Sequence, residues 1–179
     1  LFPSGMVNGR RQSGGRRIIR QLADCPMIQF EHVTKKYSAS AALDDINFKI
    51  EDGEFVFIVG PSGAGKSSLL KLITREILPT SGQIKINDQD ILHLPEAKIP
   101  QLRRKIGTVF QDFKLLLNRT VFENVAVPLE VVGAKESEIE KEVSATLEKV
   151  GLLEKAESFP VQLSGGEVQR TSIARAIVG

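Results

Sequence analysis

The chain has 179 residues, of which 41% are hydrophobic and 26% charged, with a formal net charge of +2. That is long enough for one domain with a sizeable core and short for two, and no apolar run approaches the roughly 18 residues a membrane-spanning helix needs. The charge is unevenly placed: Arg10, Arg11, Arg16, Arg17 and Arg20 against Asp24 leave residues 1–26 at +4 and residues 27–179 at −2, so no broad basic surface for nucleic acid is expected.

Residues 1–26, rich in Gly, Ser and Arg, lack hydrophobic periodicity and the apolar core of a secretory signal. They read as a disordered basic leader or an upstream extension, with a transit peptide or basic arm as alternatives, and Met27 as a natural start. Cys25, the one cysteine, can form no internal disulfide and has no neighbours at zinc-ligand spacing, which fits a reducing, cytoplasmic setting.

From Met27 the pattern alternates. Ile28 and Phe30 share one face, and Ile46, Phe48 and Ile50 share another, predicting two half-buried strands. Asp52-Gly53 marks a turn, and the continuous apolar run Phe55–Val59 predicts a short strand buried on both faces. A glycine loop follows, then a helix carrying Leu69, Leu70, Ile73 and Ile77 and stopped by Pro79. Further strands are expected at 83–86 and 106–110. Helices are expected between Thr120 and Val132 and between Glu136 and Val150, the second with Ile139, Val143, Leu147 and Val150 on one face and Gly151 as its stop. The last stretch is again helical and apolar, through Ile173, Ala174, Ala176, Ile177 and Val178.

The loop Gly60-Pro61-Ser62-Gly63-Ala64-Gly65-Lys66-Ser67 fits the phosphate-binding pattern G-x-x-x-x-G-K-[ST]. Its glycines let successive backbone N–H groups point inward, and the following helix presents its positive end to the same anion. Lys66 is placed to reach β- and γ-phosphates, Ser67 to offer a hydroxyl to Mg²⁺, and Ser68 to add a phosphate contact. The strand, loop and helix order supplies the context the motif needs, although kinases, GTPases and transport ATPases all share it.

A second phosphate site is suggested by Leu163-Ser164-Gly165-Gly166-Glu167. Ser164 is an ordinary helix cap, yet a helix start with a serine and two glycines also leaves N–H groups free to hold a γ-phosphate. With both motifs in this order, residues 27–179 resemble the ATP-binding cassette (ABC) ATPases. The resemblance implies an α/β P-loop NTPase fold: a mixed-sheet core, an antiparallel β-subdomain, and a small helical subdomain over 111–160. It matches Tyr37 to the aromatic that stacks on adenine, Gln111 to the glutamine that helps hold Mg²⁺ and the attacking water, and Ser164, Gly165, Gly166 and Glu167 to the signature. That signature closes in trans over the ATP of a second subunit, so a homodimer sandwiching ATP is implied.

Within that family MIQFEHVTKKY, GPSGAGKSSLLKLI and IPQLRRKIGTVFQDFKLLLNRTVFENVAVPLEVVG look like the bacterial cell-division ATP-binding proteins FtsE. This implies a cytoplasmic ATPase, peripheral on the inner face of the plasma membrane, that pairs with an FtsX-like membrane subunit and transmits ATP-driven conformational change during cell division. Importer and lipoprotein-release ATPases share the generic motifs. The partner surface is expected after Gln111, where Phe113, Leu115, Leu116, Leu117, Val121 and Phe122 are dense; the same residues could form the core of the helical subdomain. His32 and His93 precede the signature, whereas the family's switch histidine follows it, so both read as surface residues.

Hydrolysis in this family draws on an Asp-Glu pair after the signature helix, and these 179 residues contain no such pair. The expectation is therefore of the N-terminal part of a working ATPase, with a natural nucleotide-binding short form as the competing reading; a kinase or GTPase is disfavoured by the signature.

Overall fold

The structure, a computed structural model, describes residues 27–37 and 40–179; the basic leader and Cys25 lie outside the described residues. The chain forms two compact units, one up to Leu102 and the other Arg103–Gly179.

The first unit is built on alternation. Strands β1 (Ile28–Tyr37), β2 (Ser40–Ile50), β3 (Ser81–Ile86) and β4 (Gln89–Asp90) form an antiparallel sheet of order β2-β1-β3-β4. The register sets Ile28 between Ile50 and Ile86, and Phe30 between Phe48 and Ile84. The Phe30 and Phe48 rings stack at 4.5 Å. Phe30, Val33, Ile84 and Ile86 are buried together with Leu69, Leu72 and Ile73 of helix α1 (Lys66–Ile73), so the sheet and the helix after the glycine loop are the main contributors to this core. Burial of each large apolar side chain of this kind contributes about 1.5–3 kcal/mol.

Three elements differ from expectation. Helix α1 ends at Ile73, well before Pro79, because Arg75 turns left-handed (φ 50) and closes a Schellman motif, with Arg75 N–H on Leu72 O and Glu76 N–H on Lys71 O. The run 55–59 joins no ladder, and Phe55 is 81% exposed. The run 106–110 joins none either, leaving Val109 and Phe110 exposed. A strand buried on both faces forms only with partner strands at its edges, and among the described residues neither run has one.

The second unit is helical. Its core, Val121, Val125, Val143, Leu147, Leu152, Ala174 and Val178, is drawn from α3 (Val121–Val131), α4 (Glu136–Lys149), α5 (Gly165–Ile177) and the turns after them. Thr120 and Glu123 cap α3 reciprocally: Thr120 N–H donates to Glu123 Oε2 at 2.7 Å, and Glu123 N–H donates to Thr120 Oγ1 at 3.2 Å. Gly151, with φ 68, follows the end of α4 as the sequence predicts. The apolar stretch of α5 divides: Ala174 and Val178 are buried while Ile173 and Ile177 are exposed.

One buried polar residue organises the approach to α3. Asn124 Oδ1 accepts from Leu116 N–H at 2.7 Å, and its Nδ2 lies within 2.9–3.1 Å of the carbonyls of Leu116, Arg119 and Thr120. Truncation leaves the Leu116 N–H without its partner and removes the amide donor that the Leu116, Arg119 and Thr120 carbonyls share, although Leu116 O keeps the Arg119 N–H and Thr120 O the Asn124 N–H. Asn124→Ala is therefore expected to destabilise the chain by on the order of 2 kcal/mol, read as a lower urea midpoint at unchanged slope.

Candidate functional site

Two half-sites lie one in each unit. In the first, residues 60–65 lead from the exposed apolar run into α1. Gly65 is the N-cap of α1 with φ 86, and a Cβ there would collide with the Ala42 carbonyl and the Leu43 side chain of β2. Only glycine combines that backbone with so close an approach. Gly63 is also left-handed (φ 82), and the Ala64 N–H closes a turn on Pro61 O at 3.2 Å.

Helix α1 starts with no side-chain cap and no acidic residue in its first turn. Its N-terminal dipole is therefore not neutralised from within the helix. Lys66 Nζ donates to Gly60 O and Pro61 O, both at 2.7 Å, holding the ammonium across the loop. Tyr37, exposed at the end of β1, has its Oη 3.4 Å from Ser68 Oγ, and Lys35 Nζ lies 5.1 Å from its ring centroid. Tyr37, Lys66, Ser67 and Ser68 thus come together around one exposed loop, with Ser62 and Ala64 on its rim.

The second half-site is the start of α5. Ser164 is its N-cap and Glu167 its reciprocal partner: Ser164 N–H and Oγ–H donate to Glu167 Oε2 at 2.8 and 2.7 Å, and Glu167 N–H lies 3.4 Å from Ser164 Oγ. The hydrogen bonds from the Ser164 backbone and hydroxyl hold the Glu167 carboxyl below its ordinary range, helped by Lys155 and Arg170. Gly165 and Gly166 form the exposed first turn. The serine cap was legible in the sequence. The reciprocal role of Glu167 was missed, although the spacing S-x-x-E signals it.

Gln111 is exposed in the turn at 111–112. The six apolar residues near it divide: Val121 is fully buried in the helical core and Phe122 packs against it, whereas Leu116 and Leu117 are exposed, Leu117 by 66%. Phe113 and Leu115, half-buried, line an open groove of about 280 Å³ with Leu117, Pro160 and Val161. Sequence reasoning missed Arg175, whose guanidinium donates to the carbonyls of Phe113 and Lys114; nothing in its spacing marks it. His32 and His93 are exposed and bonded to Asp45 and Asp90, each at 2.8 Å. Among the described residues no cluster of His, Cys, Asp or Glu could hold a metal ion, and no helix is long and apolar enough to cross a membrane.

The ABC transporter family model matches residues 43–179. The chain is 52% identical over 153 residues to the cell division ATP-binding protein FtsE of Escherichia coli K12, covering 85% of this chain and 69% of that protein. Against the protein of the same name from Bacillus subtilis the identity is 56%, covering 85% and 67%. Among solved structures, a dimeric bacterial ABC transporter cassette, MJ0796, superposes with a TM-score of 0.75 at 39% identity, covering 83% of this chain and 68% of that one. Its post-hydrolysis form bound to ADP and Pi gives a TM-score of 0.74 at 38% identity. With the phosphate loop, the signature and these matches in one α/β P-loop fold, the chain belongs to the ABC transporter family of ATP-binding cassettes and groups there with the cell-division proteins FtsE.

Proposed function

We propose that this chain is the ATP-binding subunit of an FtsEX-like complex, cytoplasmic and peripheral to the plasma membrane, which changes the conformation of an FtsX-type membrane partner during cell division. The cell-division part of the reading is carried by the 52% and 56% identity to FtsE proteins, and its nucleotide-binding part by the uncapped N-terminus of α1 behind a left-handed glycine loop, with Lys66 parked on two loop carbonyls. Those carbonyls hold the ammonium until phosphate oxygens replace them, and the charge then adds to the helix dipole.

In this reading Gly60, Pro61, Ser62, Gly63, Ala64 and Gly65 wrap the phosphates, Ser68 adds a contact, and Tyr37 stacks on the adenine. The phosphate-loop motif gives the Ser67 hydroxyl, and the family resemblance the Gln111 amide oxygen, as oxygen donors for a cation beside the phosphates. That set suits Mg²⁺, which would neutralise phosphate charge and polarise the γ-phosphate. Ser164, Gly165, Gly166 and Glu167 serve a second copy's nucleotide, which makes the active assembly a homodimer. There Ser164 has one hydroxyl proton, now directed at Glu167, and must turn it to the γ-phosphate. The dimeric state of the MJ0796 cassette supports this arrangement. Residues 27–179 form the cassette, with 111–160 as its helical subdomain.

Because the 179 residues hold no Asp-Glu pair, they are proposed to bind ATP and turn it over poorly by themselves. The test is ATP affinity and steady-state phosphate release on the same sample. ATP binding should be lost by tenfold or more in Lys66→Ala, on the scale of a charge-assisted contact, with release near background in both proteins. Release at an ordinary enzyme rate, on the order of 1 per second or faster, that Lys66→Ala abolishes would overturn the proposal of low turnover.

Docking on the membrane subunit is assigned to the groove after Gln111, where Leu117 and Val161 are 66% and 76% exposed. Leu117→Glu is expected to abolish co-purification with an FtsX-type subunit while leaving ATP affinity and the thermal midpoint unchanged. Val121, wholly buried, is a core residue, and changing it tests stability instead.

The α5 cap carries a pH dependence. The Glu167 carboxyl is depressed, so its contribution is complete above the unfolded value and is lost as the pH falls through the folded one, below the ordinary glutamate range. Amide protection at the start of α5 should accordingly hold near neutrality and decline on acidification, and Glu167→Gln should flatten that decline.

A further inference from the structure

The segment immediately after Gln111 is held in a backbone that its residues disfavour. Phe113 (φ 55) and Lys114 (φ 49) are consecutive non-glycine residues in the left-handed region. Lys114 N–H donates to Asp112 O at 2.6 Å, closing a tight three-residue turn about Phe113. The Asp112 and Lys114 side chains also pair at 2.6 Å, but both are well exposed, and such pairs contribute little.

What opposes relaxation of the turn comes from α5. Arg175 Nη2 donates to Phe113 O and Nη1 to Lys114 O, each at 2.7 Å, and the buried Ser172 Oγ lies 3.4 Å from Phe113 O. The guanidinium is half-buried, its pKa lowered by that burial, and two of its fixed donors meet the carbonyls of two successive residues. A planar fork can span both carbonyls at once, whereas a lysine ammonium presents a single point. Asn124 fixes the other side of the same segment through Leu116, so Leu115–Leu117 is presented between two anchors.

We propose that Arg175 is a positioning residue that locks residues 113–114 left-handed and thereby ties the signature helix to the partner-docking segment Leu115–Leu117. Movement of α5, driven at the end that carries Ser164, is passed to the docking surface through two hydrogen bonds and not through the exposed ion pair. The proposal rests on the docking reading given above.

The test uses the full 179-residue chain. In Arg175→Gln, backbone amides 113–117 should exchange with deuterium on the order of tenfold faster, while the amides of α3 and α4 stay within about twofold of the parent chain. Adding Lys114→Asn to that variant should slow exchange again, because asparagine accepts the left-handed region that lysine resists. General loosening of the helix packing would not be reversed by that second change. Unaltered exchange at 113–117, acceleration spread through α3 and α4, or no recovery with Lys114→Asn each overturns the lock. Binding to an FtsX-type subunit in nanodiscs then tests the coupling. Arg175→Gln should weaken it as Leu117→Glu does, with ATP affinity unchanged. Binding lost in Leu117→Glu but intact in Arg175→Gln overturns the coupling. Binding intact in Leu117→Glu overturns the docking reading, and the exchange result still decides the lock.

Discussion

Everything that makes this chain an ATP-binding cassette depends on a helix that begins without a cap. Most helices satisfy their first N–H groups with a serine, threonine or aspartate, at a gain of about 1 kcal/mol. Helix α1 begins at a left-handed glycine instead, has no acidic residue in its first turn, and is pressed so closely against the Ala42 carbonyl that no side chain could replace Gly65. The sheet makes this possible. Packing of Leu69, Leu72 and Ile73 into the core fixes the helix axis without help from its N-terminus, so the end is left available to an anion.

Helix α5 solves the same problem in the opposite way. Ser164 and Glu167 satisfy each other, and the carboxylate supplies the negative charge that an anion would bring. The two helix starts therefore differ in chemistry as well as in sequence: one is free of any side-chain cap, as the proposed phosphate site requires, and the other already holds a carboxylate. A phosphate approaching α5 must displace a hydrogen bond and tolerate a neighbouring carboxylate, whereas at α1 it displaces two carbonyls from an ammonium.

How much of this was legible in the sequence follows from the range of the interactions involved. The alternation of Ile28 and Phe30, and of Ile46, Phe48 and Ile50, is local, and it located β1 and β2, while their pairing came from the structure. The spacing of Ile139, Val143 and Leu147 likewise placed α4. The phosphate loop is a contiguous motif whose backbone role is encoded by its own glycines. Phe55–Val59 failed as a strand for the opposite reason. Apolar content marks a segment that can be buried, but a ladder depends on neighbouring strands, and the sheet order leaves this run unpaired. The end of α1 was misplaced because proline was given the stop, when a left-handed arginine had already made it.

The least legible part is the stretch from Gln111 to Thr120, where hydrophobic density admitted both a core and a docking surface. Burial separates the two: Val121 goes wholly inward, while Leu116 and Leu117 stay outside. What keeps them outside is polar, not apolar. Asn124 takes hold of the Leu116 backbone and Arg175 of the Phe113 and Lys114 carbonyls, at separations of 8 to 62 positions along the chain. Neither residue stands in a recognisable pattern, because an amide or guanidinium that serves main-chain carbonyls places no demand on the side chains it serves. A surface of leucines beside a buried core would ordinarily collapse onto it, since burial of each is favourable by about 1.5–3 kcal/mol. The polar anchors spend backbone hydrogen bonds to prevent that collapse, and the leucines remain available to another molecule.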